Sequence, residues 1–493
     1  MPITVLGGTK VADTTFSVAN SCRFNDGDSP RLHRNQPGSP TNGKIFTFSC
    51  WFKLGNSTSQ INLMSSFQAS GSIYDQIKIM SLATHNQVLR IEATSVEGNA
   101  IDLKASQSLR DPTAWYHLVL AVDTTQGTAG NRDKVYLNGT QITSWQTETH
   151  STEDDTWLMN ASGKTIKVGV YDNGTPQDFF DGYLAEVCLV DGQQLAPTSF
   201  GEFDEDSPTI WKPINVSGLT FGNNGFYLDF EDSGTLGNDV AGKGDFTAVN
   251  LAAIDQATDT PTNNFCVMNP LVNTTDAAAV FSQGNTVVVT DGSSGDWGFA
   301  GTIAMSNGKW YMEHRIHEDK QFLVGIHSAP DILAAGSLES VGTKWCYAYR
   351  GSGRLTTYND AGSKTDTDSW GSTFTTGDII GVYLDLDNNK LYFAKNDTLQ
   401  NSGTGITITD PSLTQHGAYW WCQTDANSGE SWTITPAFGG LAAWNTTAMS
   451  SVVNDKNGWG SFEYDPSRGG SSDFDSAAKD FYSLCTKNLA EFG

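Results

Sequence analysis

The chain has 493 residues, of which 38% are hydrophobic and 17% charged, and it contains 50 glycines. Because a single hydrophobic core stops growing at roughly 250 to 300 residues, a chain of this length is expected to form two domains or more. The formal net charge is −26, from 55 Asp and Glu against 29 Lys and Arg. Such a surface repels phosphate backbones and anionic membranes, so nucleic-acid binding is not expected.

Cysteine usage and the N-terminal sequence indicate synthesis in a reducing cytoplasm. The seven cysteines are an odd number, and no two of them have the CxxC spacing of a zinc or redox site. Residues 1–4 (MPIT) carry no basic stretch followed by an apolar run, so no signal peptide is expected. No window approaches the roughly 18 apolar residues that a membrane span needs, so membrane insertion is not expected.

The first half of the chain predicts a series of short strands separated by Gly, Asn, Asp and Ser. Residues 45–52 place four large or apolar side chains on one face, and 115–122, 166–171 and 183–190 continue the series. The dipeptide Asn138-Gly139 directly follows another apolar run and is a strong hairpin signal. Since no window shows a sustained 3.6-residue period, an antiparallel sandwich is the expected fold.

The composition changes after residue 215 and predicts where the first domain ends. Between 215 and 276 the residues are small and polar, apart from a strand at 226–230 that we expect to close the first sandwich. The segment 258–264 (TDTPTNN) has the composition of a linker. A second series of strands then runs from 281 to 438, including a hairpin that turns at Asp387-Asn388-Asn389.

These patterns predict an all-β chain with two antiparallel sandwiches in tandem. We expect the sandwiches at residues 1–255 and 276–440, joined by an extended linker at 256–275. A C-terminal tail at 441–493 follows, in which the FYSLC segment predicts one last docked strand. No repeat of 20 to 50 residues is evident, which disfavours solenoids and propellers.

Five segments of the first half occur in an order typical of one family: FSCWF at 48–52, WYHLV at 115–119, VYLNG at 135–139, IKVG at 166–169 and FDGYLAEV at 180–187. On these segments, residues 15–235 resemble the laminin-G-like branch of the concanavalin-like jelly rolls. The resemblance implies a jelly-roll sandwich. It also implies that Ca²⁺ is a possible ligand, since some laminin-G-like and pentraxin-like relatives bind it at loops on the sandwich rim.

The second half resembles a SPRY domain over about residues 276–440. The sequence WYME at 310–313 fits the early strand of that family. The sequence GDIIGVYLDL at 377–386, running to LYFAKN at 391–396, fits its most recognisable hairpin. This resemblance implies a second jelly-roll sandwich.

The order of these parts is similar to that in virion proteins of marine tailed bacteriophages. In those proteins a laminin-G-like sandwich is followed by a linker like DTPTNNF at 259–265, a SPRY domain and an ending like LCTKNL at 484–489. The resemblance implies a place on the virus particle, other virion proteins as partners, and synthesis in the host cytoplasm. It leaves open which part of the particle carries the protein.

The sequence lacks the paired carboxylates and the short motifs that common hydrolases and nucleotide-binding enzymes need. Retaining glycosidases of concanavalin-like fold need two carboxylates about 5 Å apart, but residues 229–232 (DFED) lack the second Glu of the family's alternating pattern. Glu313 and Glu318 are an odd number of residues apart, which places them on opposite faces of a strand, and the same holds for His314 and His317 as metal ligands. With no HExxH, GxSxG or phosphate-loop motif, we expect a protein that is not an enzyme.

Acidic side chains offer one candidate metal site. The excess of acid either keeps the protein soluble or recruits Ca²⁺, and both interpretations stay open. The acidic runs at 153–155 and 204–206 are interpreted as solvated loops. The candidate Ca²⁺ ligands, which match the rim loops of the relatives by region, are Asp172, Asn173, Asp178 and Asp181.

Aromatic residues of the second half are the candidate ligand-binding groups. Trp in a sandwich is usually part of the core, yet exposed Trp and Tyr stack on sugar rings or anchor protein interfaces. Because Trp420 and Trp421 are adjacent in a strand, they must face opposite ways, so one is expected in the core and the other at a surface. Tyr349, Arg350 and Trp370 complete this set of candidates.

Two ligand-binding folds in series without catalytic residues favour a virion protein that binds through its loops. It would be a fibre or receptor-binding protein that contacts a host-surface glycan, or a head decoration. The alternatives are a glycan depolymerase of concanavalin-like fold and a cellular SPRY-containing adaptor.

The expected assembly is a closed homo-oligomer, with a trimer as the specific prediction, because appendage proteins match the symmetry of the particle. Residues 1–18 either add as an arm to a neighbouring copy or dock onto their own sandwich.

Overall fold

The computed structural model describes residues 16–55, 59–70, 72–83, 86–272, 279–290, 298–317, 322–329, 345–425, 431–467 and 479–493. The predicted N-terminal arm therefore lies outside the described residues except for 16–18. Glu318, considered above as a carboxylate partner, lies outside them as well.

The described residues form two compact units. The first contains 16–262 together with Ser282–Gly284, and the second contains Asn263–Phe281 and Asn285–Gly493. Nearly all regular elements are β-strands, which confirms the predicted all-β class with antiparallel sheets. In the described part of the chain, no helix has the length and apolar character needed to cross a membrane.

The strands of the first unit are numbered in chain order: β1 Ser21–Phe24, β2 Arg31–Asn35, β3 Ile45–Leu54, β4 Ile61–Gln68, β5 Ile73–Ala83, β6 Asn86–Thr94, β7 Ala100–Leu109, β8 Trp115–Asp123, β9 Asp133–Leu137, β10 Thr140–Gln141, β11 Trp145–Thr149, β12 Thr165–Val168, β13 Tyr171–Asp172, β14 Pro176–Gln177, β15 Gly182–Asp191, β16 Gly201–Phe203, β17 Trp211–Pro213, β18 Phe226–Leu228, β19 Thr247–Val249 and β20 Gln256–Ala257. Short 3-10 turns lie at Asp26–Asp28, Ala129–Asn131, Leu158–Asn160, Pro197–Ser199 and Ala253–Asp255.

The remaining strands are β21 Val280–Ser282, β22 Val287–Val289, β23 Gly298–Ala300, β24 Lys309–Ile316, β25 Phe322–His327, β26 Cys346–Arg350, β27 Leu355–Tyr358, β28 Lys364–Thr367, β29 Ile379–Asp385, β30 Lys390–Lys395, β31 Thr398–Leu399, β32 Ile406–Thr407, β33 Trp420–Asp425, β34 Thr433–Ala437, β35 Ala443–Trp444, β36 Thr447–Ala448, β37 Val453–Asn454, β38 Ser461–Phe462 and β39 Tyr482–Ser483. The helix α1 spans Thr486–Phe492, and 3-10 turns lie at Asn401–Gly403 and Pro411–Leu413.

The first unit is a sandwich of two sheets. Sheet I has the order β10-β9-β8-β3-β15-β1-β20, with β18 beside β15, and sheet II has the order β11-β7-β6-β5-β4-β12-β2-β19. Alternate side chains of both sheets meet in one core cluster. Phe46, Phe48, Cys50 and Phe52 of β3, predicted to share a face, all belong to that cluster.

The outer face of sheet I is covered by the chain that follows β15. Val119 and Val190 on this face are buried against Phe200 and Phe221, which come from the later segment. Trp211 covers another part of the same sheet beside Trp51. Sheet I is therefore covered on both of its faces.

The second unit contains two further sheets of described strands. The larger has the order β21-β22-β34-β24-β29-β30-β31, with β32 beside β30 and β39 beside β24, and the smaller has the order β23-β33-β25-β26-β27-β28. A core cluster lies between them and includes Trp310, Val382, Phe393 and Trp421. The hairpin predicted from Asp387-Asn388-Asn389 is β29-β30.

The C-terminal tail is packed on the outer face of the larger sheet. Phe462 and Phe481 of the tail bury Tyr311 and Tyr383 of β24 and β29, and β39 pairs in parallel with β24. Buried Glu313 holds the tail by accepting hydrogen bonds from the backbone N–H groups of Glu463 and Tyr464, at 2.9 and 2.8 Å.

The Tyr311 hydroxyl donates to the same carboxylate at 2.8 Å. Glu313 is therefore a structural carboxylate with three donors, and it lies beneath the tail.

The structure differs from the prediction of an extended linker over 256–275. Gln256–Ala257 is strand β20 at the edge of sheet I, and the buried Asp259 carboxylate accepts from the Lys53 ammonium at 2.7 Å. From Asn263 onward the chain belongs to the second unit, where Phe265 and Cys266 are buried. The polar composition of the segment was misleading because its side chains have partners in the folded units.

Candidate functional site

The outer face of sheet II carries polar side chains in two parallel rows that cross the strands. Residues that flank them in sequence, such as Ile77 and Ile91, point into the core, so the row members point outward. The strand registers align the first row as Thr247, His33, Lys167, Ser65, Gln76, Glu92, Asp102 and Thr149. The second row contains Asn62, Lys78, Arg90 and Lys104. We call this surface the polar face.

Ion pairs between the two rows organise the centre of the polar face. The Arg90 guanidinium donates to both carboxylate oxygens of Asp102 at 2.8 Å, a bidentate arrangement. The Lys78 ammonium lies 2.5 Å from Glu92, and the Tyr74 hydroxyl donates to Glu92 at 3.2 Å. The hydrogen bonds that Arg90 donates to the Asp102 carboxylate raise the pKa of Arg90, so this guanidinium stays charged.

Aromatic rings lie beside these charges. Phe67 and Tyr74 occupy facing positions on β4 and β5, and Tyr171 packs against both with ring centroids 6.4 and 6.3 Å away. Tyr171 belongs to the small β13-β14 hairpin, which also supplies Asp172 as the partner of Lys167 at 3.0 Å. An aromatic surface thus adjoins the hydrogen-bonding groups.

Two buried amides on the polar face have unused hydrogen-bonding capacity. Asn62 is fully buried, and neither its amide nitrogen nor its amide oxygen has a partner. The side-chain oxygen of Gln76, which is 5% exposed, also has none. A buried polar atom without a protein partner can be satisfied by a water or by a ligand group.

The period of two along β5 was present in the sequence, where Gln76 and Lys78 alternate with Ile77 and Ile79. Sequence reasoning nevertheless missed this site, because the rows form only once the strands are aligned in the correct order. The polar face is the strongest candidate site in the described residues of the first unit.

On sheet I, Ser49 and His117 are placed like the nucleophile and general base of a hydrolase. The ring nitrogen of His117 that faces Ser49 already carries a proton, however. The Trp211 indole N–H donates to His117 Nδ1 at 2.9 Å, so His117 Nε2 carries the proton and donates to the Ser49 hydroxyl oxygen at 2.8 Å. Burial lowers the pKa of His117 to about 3. An Nε2 that already holds a proton cannot accept one from Ser49, so this is a structural histidine.

The predicted ligand-binding aromatics of the second unit are mainly core residues. Tyr349 is fully buried and packs edge-on against Trp370 and Phe374, at centroid distances of 5.4 and 5.1 Å, and its hydroxyl donates to the carbonyl of Ser372. Arg350 is 6% exposed, and Trp370 is partly buried against the core. Neither Tyr349 nor Arg350 offers a surface to a ligand.

The adjacent tryptophans face opposite sides of β33, as the alternation requires, but both are buried. Trp421 is 1% exposed and lies in the core cluster, whereas Trp420 is 4% exposed and packs with Leu323 and Tyr358 on the other face of the sheet. The prediction of one surface tryptophan is therefore wrong. The outer face of the smaller sheet is itself apolar and covered.

Three of the four predicted Ca²⁺ ligands have partners within the first unit, and the fourth, Asp181, is buried. Asp172 pairs with Lys167, Asp178 accepts from the Gln60 amide at 2.5 Å, and burial raises the pKa of Asp181 well above its usual range. Asn173 accepts from the backbone N–H of Thr175 at 3.4 Å. Among the residues that the structure describes, no three His, Cys, Asp or Glu side chains gather closely enough to hold a metal ion.

His314 and His317 do not form a metal site within the described residues either. His314 is buried and stacked on Phe322 at 4.5 Å, and burial lowers its pKa to about 3. The His317 ring lies 2.7 Å from the Thr435 hydroxyl.

The carboxyl group of Glu186 is also buried and has a raised pKa. Glu186 lies at an irregularity in β15 with a φ of 50°, and the Tyr227 hydroxyl donates to it at 2.7 Å. Burial, with the charges of Asp229 and Glu231, raises the pKa of Glu186 to about 7.

Comparison with protein families finds that residues 27–194 match the concanavalin A-like lectin/glucanases superfamily. A search of curated proteins found no match. Similar solved structures include the SPRY domain of human HERC1, with 14% identity, a TM-score of 0.26, and coverage of 35% of this chain and 94% of that one. A heptameric SAP-like pentraxin from Limulus polyphemus has 14% identity, a TM-score of 0.28, and coverage of 37% and 80%.

Proposed function

We propose that this chain is a non-enzymatic structural protein of a tailed-bacteriophage virion that binds a host-surface glycan through the polar face. The observation that carries the binding role is the combination, on one outer sheet face, of partly exposed ion pairs and neighbouring aromatic rings. Sugars present hydroxyl groups along their edges and C–H groups on their faces, which such a surface matches. The match of residues 27–194 to a superfamily that contains lectins supports this role.

The virion part of the proposal rests on the sequence resemblance of 259–265 and 484–489 to phage proteins. Other virion proteins are then partners, and the assembled form is a homo-oligomer, for which we keep the trimer. Labelling intact particles with an antibody against this chain tests the location. A signal on the tail supports receptor binding, a signal on the shell supports decoration, and unlabelled particles overturn the virion role.

Binding by the polar face is tested with the full-length protein on glycan extracted from host cells. Tyr74→Ala removes an aromatic ring from the face and is expected to weaken binding by about two- to tenfold, since ring contacts contribute about 0.5–1.5 kcal/mol. Phe203→Ala is the matched control, because Phe203 is 44% exposed on β16 and lies away from sheet II. Equal affinity of the two variants would show that the face does not bind glycan.

A glycan depolymerase is the second candidate, and Glu186 is the observation that favours it. A carboxyl group with a pKa near 7 has the value that a general acid needs at neutral pH. Release of reducing sugar from host polysaccharide that disappears in Glu186→Gln would support the enzyme. Unchanged polysaccharide after incubation with the wild-type protein would support the binding role.

A further inference from the structure

The second row of the polar face places three cations side by side. Lys78 of β5 lies directly opposite Arg90 of β6, and Arg90 lies directly opposite Lys104 of β7. Neighbouring strands are about 4.8 Å apart, so the three backbone positions span about 10 Å. Like charges at directly opposite positions of adjacent strands destabilise a sheet.

The carboxylates of the first row only partly offset this repulsion. Glu92 pairs with Lys78 and also lies 3.3 Å from Arg90, while Asp102 is taken by Arg90. The Lys104 ammonium forms no ion pair with any described residue. Three cations of the second row therefore face two carboxylates of the first row, Glu92 and Asp102, on a chain whose net charge is −26.

The neutral member of the same row lies beside the cations. Asn62 of β4 is directly opposite Lys78, and both of its amide atoms are without partners although the side chain is fully buried. The amide is neutral, so it adds no charge that would offset the cations beside it. Glu92 and Asp102 belong to the first row and lie on one side of the cations. Asn62 extends the second row across a fourth strand, β4.

The second row also has a cation near its far end. Arg31 of β2 is two residues from His33, and it lies close enough to Asp172 to lower the pKa of that carboxyl. His33 is kept largely neutral, because burial and the charges of Arg31 and Lys167 lower its pKa. From β2 to β7 the sheet crosses five strand spacings, or about 24 Å.

From this arrangement we propose that the ligand of the polar face is an acidic polysaccharide, which lies across the strands with a carboxylate or sulfate group against Lys104 and Arg90. The inference rests on the proposed glycan binding and specifies its chemical class. The anionic group offsets the repulsion along the row.

The test uses the full-length protein with two oligosaccharides of about six sugars, one of polygalacturonate and one of dextran, titrated by calorimetry at low and high NaCl. Polygalacturonate is expected to bind at low salt and to lose affinity as salt screens its charges. Lys104→Gln should weaken this binding about two- to fivefold, the range of an exposed ion pair. Lys134→Gln, on β9 of sheet I, makes the same change in charge elsewhere and should have no effect.

Equal effects of Lys104→Gln and Lys134→Gln would overturn the proposal.

The dextran titration distinguishes failure of the acidic-polysaccharide proposal from failure of the proposed glycan binding. If dextran binds more tightly than polygalacturonate, and Tyr74→Ala weakens it, the face binds glycan but the acidic class is wrong. If neither oligosaccharide binds, both the acidic class and glycan binding by this face are wrong.

Discussion

Replacing Glu313 by alanine is expected to detach the C-terminal tail from the second unit. The change removes the acceptor of two buried backbone N–H groups, those of Glu463 and Tyr464, and of the Tyr311 hydroxyl. Each buried donor left without an acceptor costs about 1–3 kcal/mol, so the two backbone groups alone cost about 2–6 kcal/mol. Hydrogen–deuterium exchange at these two amides should then be about 30-fold to 10⁴-fold faster.

The control for this experiment is Glu205→Ala, which removes an exposed glutamate from the loop between β16 and β17. Its exchange pattern near 463–464 should match that of the wild type. If Glu313→Ala also leaves exchange at 463–464 unchanged, then Glu313 does not hold the tail and the argument fails.

The raised pKa of Glu313 also predicts how the stability of the protein changes with pH. Burial raises the pKa of Glu313 from its usual 4.5 to about 7, against the opposing effect of its hydrogen-bond donors. A group whose pKa is raised on folding contributes stability below its usual pKa, and that contribution is lost as the pH rises through about 7. The shift corresponds to on the order of 3 kcal/mol, so the wild type should unfold at a lower temperature at pH 8 than at pH 5.

Glu313→Gln, which cannot ionise, should show a flatter pH dependence between these two values. A steeper dependence in the variant would contradict the assignment.

Three further outcomes follow from other parts of the chain. Trp211→Phe removes the donor to buried His117 Nδ1 and should lower the free energy of unfolding of the first unit by about 1–3 kcal/mol, measured by urea denaturation. NMR titration should also show a neutral His117 ring from pH 5 to 8, since burial lowers its pKa to about 3. Arg34→Met leaves the fully buried Asp239 carboxylate without its cation and should cost about 3–5 kcal/mol, whereas a cost near zero would contradict the pairing.

Local patterns were sufficient for the strands and the fold class. The alternation of Phe46, Phe48, Cys50 and Phe52 predicted a core face, and all four lie in the core cluster. The alternation of Trp420 and Trp421 was also read correctly. Their burial was not, because the apolar cover on the outer face comes from distant parts of the chain, including Val272.

Composition was less reliable than periodicity at the junction of the two units. The segment 258–264 looks like a linker because it contains Thr, Asn, Asp and Pro. In the structure, Asp259 accepts from the Lys53 ammonium and from the Trp115 indole at 3.0 Å, and Thr262 accepts from the backbone N–H of Val18 at 3.1 Å. Each of these partners is more than 100 residues away in sequence, so no local rule could reveal the pairing.

A comparison of the two sheets of the first unit shows why sheet II, and not sheet I, offers a surface for a binding site. Sheet I is closed on its outer face by the chain after β15, whereas sheet II keeps charged and aromatic side chains there. Its paired charges, Lys78 with Glu92 and Arg90 with Asp102, keep the face soluble without a ligand. A ligand must compete with these pairs, so the affinity of one face is expected to be modest. Several copies on one particle, as in the proposed oligomer, would raise the overall affinity by about 10²–10⁴ without any new contact.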